Sequence, residues 1–207
     1  MNHPQFAINL IFTSILILLK MSFKNSFASS RRAAYVSVGI SLILLIIACS
    51  PTFNWRQVQG NDAPFSVLLP SKPSTFSRSV DLDGIKLNMT MTATEVDGIV
   101  FAVGSAKLND INQATSAIQA MKIALVKNIN GSVKSESASA VSGGPQGNVS
   151  KIDIEALGPP ENNGQPKVLF AHLEAKGQYI YQVIVIGPQK AVSTESVETF
   201  MQSFKAS

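Results

Sequence analysis

His172 and Glu174 are the pair in this chain best suited to chemistry. They lie two residues apart in Val168-Leu169-Phe170-Ala171-His172-Leu173-Glu174-Ala175, where a strand would place both on one face with Val168 and Phe170. An imidazole beside a carboxylate is the kernel of a general base. Its usual companion is a nucleophile, yet no cysteine follows residue 49 and no serine stands in a Gly-x-Ser-x-Gly elbow. The pair therefore reads as a hydrogen-bonded strand histidine, with a hydrolase using His172 and an acidic residue as the alternative. Asp81 and Asp83 offer oxygen ligands for a hard cation, but Asp-x-Asp-Gly before an alternating stretch is first of all a turn. Asp153 and Glu155 share the outer face of another alternating stretch and read as a wet edge. Zinc needs three or four His, Cys or carboxylate ligands, and the chain beyond Cys49 holds one histidine and no cysteine. Gly143-Gly144-Pro145-Gln146-Gly147 lacks the Gly-Lys-Ser/Thr ending of a phosphate loop and reads as a hairpin tip. No catalytic residue, metal or cofactor is expected, and the chain is not expected to be an enzyme.

Cys49 is the single cysteine among 207 residues. It closes the apolar run Val36-Ser37-Val38-Gly39-Ile40-Ser41-Leu42-Ile43-Leu44-Leu45-Ile46-Ile47-Ala48, behind Arg31 and Arg32. A basic start, a short apolar core and a small residue before the cut define a secretory leader. The segment Ile46-Ile47-Ala48-Cys49 resembles the lipobox of bacterial lipoproteins. That resemblance implies lipidation of the Cys49 thiol, palmitate among the acyl groups, and cleavage before it. Two or three acyl chains hold a membrane where one does not. Ser50, which is not aspartate, implies sorting to the outer membrane with the domain on the periplasmic face; the inner membrane is the alternative.

An uncleaved transmembrane helix is the rival reading, because no charge lies between Arg32 and Arg56. A second apolar stretch, Phe6 to Leu19, precedes Lys20. A start at Met21 would leave a leader of ordinary length; otherwise the two stretches form a helical hairpin in the inner membrane. Arg31-Arg32 hints at a twin-arginine signal, which Ala33-Ala34-Tyr35 fits poorly. The expected organisation is a leader over 1–48 (signal peptide 21–48), a lipidated tether over 49–63 and a single globular domain over 64–207.

The formal charge of +4 belongs to the leader. Lys20, Lys24, Arg31 and Arg32 precede Cys49, and the remaining 13 Lys and Arg are matched by 13 Asp and Glu. A basic stripe marks phosphate binding, and a neutral domain excludes nucleic acid on that ground. With no further cysteine, stability must come from a core. A domain of about 150 residues buries roughly 68–70% of its unfolded surface, which suffices.

The elements that must position these residues follow from periodicity. Phe65, Val67 and Leu69 share one face of a brief strand bounded by Pro70 and Pro73. Ile85, Leu87, Met89, Met91 and Ala93 alternate with polar residues, a strand with one wet face. Asp83-Gly84 and Asp97-Gly98 are hairpin signals, giving a three-stranded meander over about 75–108 that ends with Ile99–Val103. Ile111, Ala114, Ile118, Met121, Leu125 and Ile129 recur at three and four, predicting one helix capped by Asp110 or Asn112 and ended at Asn130-Gly131. Val133–Val141 is small and polar. Val149–Leu157 turns Ile152, Ile154 and Ala156 inward. Tyr179–Ile186 is apolar on both faces, as a central strand requires. Ser193 caps a last helix with Val197, Phe200, Met201 and Phe204 as its buried stripe.

The order predicts an α+β class, an antiparallel sheet of about six to seven strands with helices packed on it. Phe65-Ser66-Val67, Pro70 and Pro73 at the start, with Tyr179–Val183, Gly187-Pro188 and Ser203-Phe204 at the end, resemble the Mog1/PsbP-like fold over roughly 64–205. That resemblance implies an α/β/α sandwich used as a binding or assembly module. The function expected is a non-enzymatic lipoprotein of the cell envelope, held to the membrane by its lipid, whose domain binds an unidentified envelope protein or small ligand.

Overall fold

The computed structural model describes residues 52–144, 147–160 and 164–207. The leader, the Met21 start and the lipidation site Cys49 lie outside these residues, as do parts of the two loops 143–147 and 158–164.

Seven strands form one antiparallel sheet in the order β3-β4-β5-β9-β8-β7-β6. They are β3 (Ser74–Leu82), β4 (Ile85–Val96), β5 (Ile99–Lys107), β6 (Ser132–Gly144), β7 (Gly147–Pro160), β8 (Pro166–Lys176) and β9 (Tyr179–Pro188). The meander β3–β4–β5 turns as its sequence predicts. Asp83 and Gly84 take φ of 55° and 88°, Asp97 and Gly98 take 51° and 76°, the paired left-handed residues of a type I′ turn. β9 is fourth of the seven strands, which explains its two apolar faces. Ile180 packs into one core, while Tyr181, Val183 and Val185 fill the other.

α1 (Ala114–Asn128) covers the first face. Ala117, Ile118 and Met121 are buried there against Ala102, Ala106, Ile152, Ile154, Ala156, Leu169 and Leu173. Ile111 was expected in this stripe but is 44% exposed. It opens a 3-10 turn, Ile111–Gln113, capped by Asp110, and three residues per turn carry it out of the helical phase. At the other end Asn130 takes φ of 49°. Gly131 is needed for a different reason: a Cβ there would stand 2.6 Å from the Leu157 carbonyl oxygen, so the helix exit can press against β7.

The second face is covered by α2 (Thr194–Ser203) and by a three-stranded sheet in the order β1-β2-β10, with β1 at Arg56–Gln59, β2 at Phe65–Leu69 and β10 at Lys205–Ala206. Ser193 caps α2 through the Ser196 N–H; of the expected stripe Val197 and Phe200 are buried, whereas Met201 is half-buried and Phe204 lies just past the helix in extended backbone, also half-buried. The α+β class and the antiparallel sheet with helices on it are therefore observed. The stretch 49–63 is not all tether: β1 lies inside it and pairs with β2 from Arg56↔Leu69 to Gln59↔Ser66. Phe53 and Trp55 meet the buried ring of Phe101 edge-to-face at 6.0 and 6.1 Å between centroids, and Phe101 meets Phe200 in the same way at 5.5 Å. The polar sequence Arg56-Gln57-Val58-Gln59 hides this strand because it sits on an edge, with its burial supplied mainly by the aromatic residues before it.

Trp55→Ala should therefore cost about 2–3 kcal/mol, read as the urea midpoint by circular dichroism. A tether residue would change stability by no more than about 0.5 kcal/mol, and a loss that small would contradict the packing described.

Candidate functional site

The hairpin β7–β8 sets Asp153 opposite His172, and β8–β9 sets His172 opposite Val183. Directly opposed residues in an antiparallel ladder share a face. His172 thus lies on the second face, at the margin of the cover formed by α2 and the small sheet. Its Nδ1 is 2.6 Å from an Asp153 carboxylate oxygen, and its Nε2 is 3.2 Å from a Glu174 carboxylate oxygen. Lys151 Nζ stands 3.3 Å from the same Glu174 oxygen. The Phe204 ring, just past α2, lies 5.9 Å from the imidazole.

The expected His172–Glu174 neighbours are therefore in contact, and the shorter bond goes to Asp153, which sequence reading placed on a wet edge. Asp153 is 60% exposed, yet its carboxylate reaches inward across the ladder. Glu155 pairs with Lys134 at 2.9 Å. The parity of the strands carried the signal: Asp153 faces the side opposite Ile152 and Ile154, which is the side of His172. Finding the contact needed the hairpin register, set by a long turn whose length alone does not specify it.

The electrostatics decide what His172 can do. Burial by itself would lower its pKa, but the hydrogen bonds and charges of Asp153 and Glu174 outweigh burial and raise it to about 9. Burial would likewise raise Glu174, and His172 with Lys151 reverses this, holding its carboxyl below the usual range. At neutral pH the imidazole is thus a cation donating from both nitrogens to two carboxylates. It has no lone pair left to accept a proton. The Tyr181 hydroxyl, pushed up to about 12 by burial, Tyr179 and Glu174, donates to the Pro64 carbonyl at 3.1 Å and stays neutral.

Beside this cluster runs a groove of about 310 Å³ between α2 and strands β6–β8, lined by Ser135, Ser137, Asp153, Glu155, Phe170 and Met201. Its walls combine hydroxyls and carboxylates with an aromatic ring and a thioether. A larger groove of about 610 Å³ lies between the Asp83-Gly84 turn and α1, with Ile123 and Lys127 in its lining. Asp81 is spent on the turn, accepting from the Gly84 N–H at 2.6 Å. Among the described residues no group of three His, Cys, Asp or Glu is arranged to hold a metal ion. Tyr179 and Tyr181 stack at 6.4 Å, with Tyr181 wholly buried, so this pair serves packing.

The folded pKa of His172 lies above its unfolded value of 6.5. The stabilisation is fully present below pH 6.5, declines as the unfolded histidine alone loses its proton, and is gone above pH 9. Urea midpoints should fall across that window by the equivalent of up to about 3 kcal/mol. His172→Gln should lower the midpoint at pH 6 and flatten the profile from 6.5 to 9; a wild-type profile already flat there would refute the cationic histidine. Against known proteins, the chain matches no family model and no curated sequence.

Proposed function

We propose that this chain is a lipid-anchored protein of the bacterial cell envelope whose domain binds a partner rather than catalysing a reaction. The observation that carries the non-catalytic part is the state of His172. A general base at neutral pH needs a pKa near 7 and an open nitrogen. His172 has a pKa of about 9, and both ring nitrogens are engaged by carboxylates. The cluster acts as a clamp: it ties β7 to β8 beside the C-terminal segment, where Lys176 Nζ also donates to the Ala206 carbonyl at 2.8 Å. What the clamp holds steady is the wall of the adjacent groove, a place for a small polar ligand or a partner's side chain with an apolar portion against Phe170 and Met201.

The anchoring part rests on the sequence: Arg31 and Arg32, the apolar run, Ala48 and the single cysteine. In this reading Cys49 carries the lipid, Ser50 directs the product to the periplasmic face of the outer membrane, and the domain follows after a short tether. In the same reading the architecture is a member of the Mog1/PsbP-like group of binding modules. Helices on opposite faces of an antiparallel sheet are compatible with it, and the β1-β2-β10 sheet is an addition to the expected plan.

Radiolabelled palmitate should enter the wild-type chain and be absent from Cys49→Ala. Label that survives the substitution, or a mature chain with its leader intact by mass spectrometry, would remove the anchor. At a temperature where it remains folded, His172→Gln should keep most of the wild-type cellular phenotype, whereas Ser137→Arg, which places a long side chain in the groove from an exposed strand position, should abolish it without shifting the thermal midpoint. The opposite pattern would point to a hydrolase.

A further inference from the structure

The two edges of the seven-stranded sheet are built differently. Along β6 the register with β7 shifts between Val133 and Ser135, and again between Val141 and Gly144, with Lys134 in the first irregularity. Bulges and edge lysines are devices that keep an edge from pairing. β3, at the opposite edge, carries no such device. It pairs with β4 through nine consecutive positions, Ser74↔Ala93 to Leu82↔Ile85, without a shift. No proline lies within it, residues 74–79 are exposed, and Phe76 is 51% exposed. Among the described residues no strand lies beyond it. Its outward N–H and C=O groups match in spacing only another extended backbone.

We propose that β3 is a dimerisation edge, on which a second copy of this chain adds its own β3 antiparallel, about a two-fold axis through Ser77. A two-fold axis perpendicular to the sheet keeps like faces together, so opposed residues have the same parity. With Ser77 opposite Ser77, Phe76 of each copy meets Arg78 of the other, a cation over an aromatic ring, formed twice. Thr75 falls opposite Ser79, and Ser74 opposite Val80. Neighbouring registers are worse. Centring on Phe76 pairs the two rings, but it sets Arg78 opposite Ser74 and Pro73, which has no N–H to donate, opposite Ser79, so the uninterrupted ladder shrinks from residues 74–80 to residues 74–78. Centring on Arg78 sets two arginines face to face, which destabilises a cross-strand pair. Centring on Ser79 requires Phe76 to reach Leu82, which is buried at 7% exposure beneath its own core. The single aromatic and single cation of the exposed stretch thus select one self-complementary register.

The test uses the full-length chain in detergent. With Cys49→Ser removing the native thiol, Ser77→Cys should cross-link to a covalent dimer under mild oxidation. Opposed residues have Cα atoms about 4.5–5.5 Å apart, inside the disulfide range of about 4.4–6.8 Å. Ser139→Cys on β6 should remain uncross-linked. Sedimentation should give a dimer for the wild type and weaken it at least about tenfold for Phe76→Lys, which opposes two cations. Adding Arg78→Glu to Phe76→Lys should restore the dimer through two Lys–Glu pairs, with unchanged circular dichroism throughout. A wild-type monomer at about 0.1 mM overturns the proposal. So does a dimer that neither cross-links at position 77 nor responds to Phe76→Lys, since it is held by another surface.

Discussion

β9 has to fill two cores at once. Ile180 and Ile184 point to the side of α1, Tyr181, Val183 and Val185 to the side of α2 and the small sheet, and the strand lies fourth of seven. A sheet buried on both faces needs such a strand at its centre, because an alternating strand there would place polar side chains in one of the cores. The other elements depend on this constraint. Strands nearer the edges alternate more cleanly, and each helix needs one apolar stripe. The two covers differ because the two faces differ: one receives a single helix, the other a helix, three short strands and a group of aromatic rings centred on Phe101.

The polar cluster lies where that double burial ends. Toward β7 the second face passes from Val183 to His172 to Asp153, from full burial to solvent. A lone histidine in the core would lose its charge, and a fully exposed one would keep an ordinary pKa. At the margin burial works against the charge, and the two carboxylates outweigh it and leave the imidazole protonated well above neutrality. The same position puts the cluster next to a groove whose wall is α2.

Much of the architecture was legible because it is local. Both Asp-Gly turns, the Asp110 and Ser193 caps and the inward run Ile152, Ile154, Ala156 depend on residues within a few positions of one another. Ile111 misled because a helical period was extended into a turn of different pitch. Arg56–Gln59 was missed because an edge strand with polar residues carries no alternation of its own. Its place is fixed by Trp55 and Phe53 reaching Phe101, across more than forty residues of chain.

The sequence by itself determined most of the long strands and both helices, which of their faces are apolar, and that the chain beyond Cys49 is neutral, because each follows from composition or from spacing within one segment. Only the tertiary structure decided that Asp153 rather than Glu174 makes the shorter bond to His172, that a small sheet helps to cover the second face, and that one sheet edge is bulged while the other is regular. Those outcomes depend on strand register and strand order, which are set by the packing of distant segments against one another.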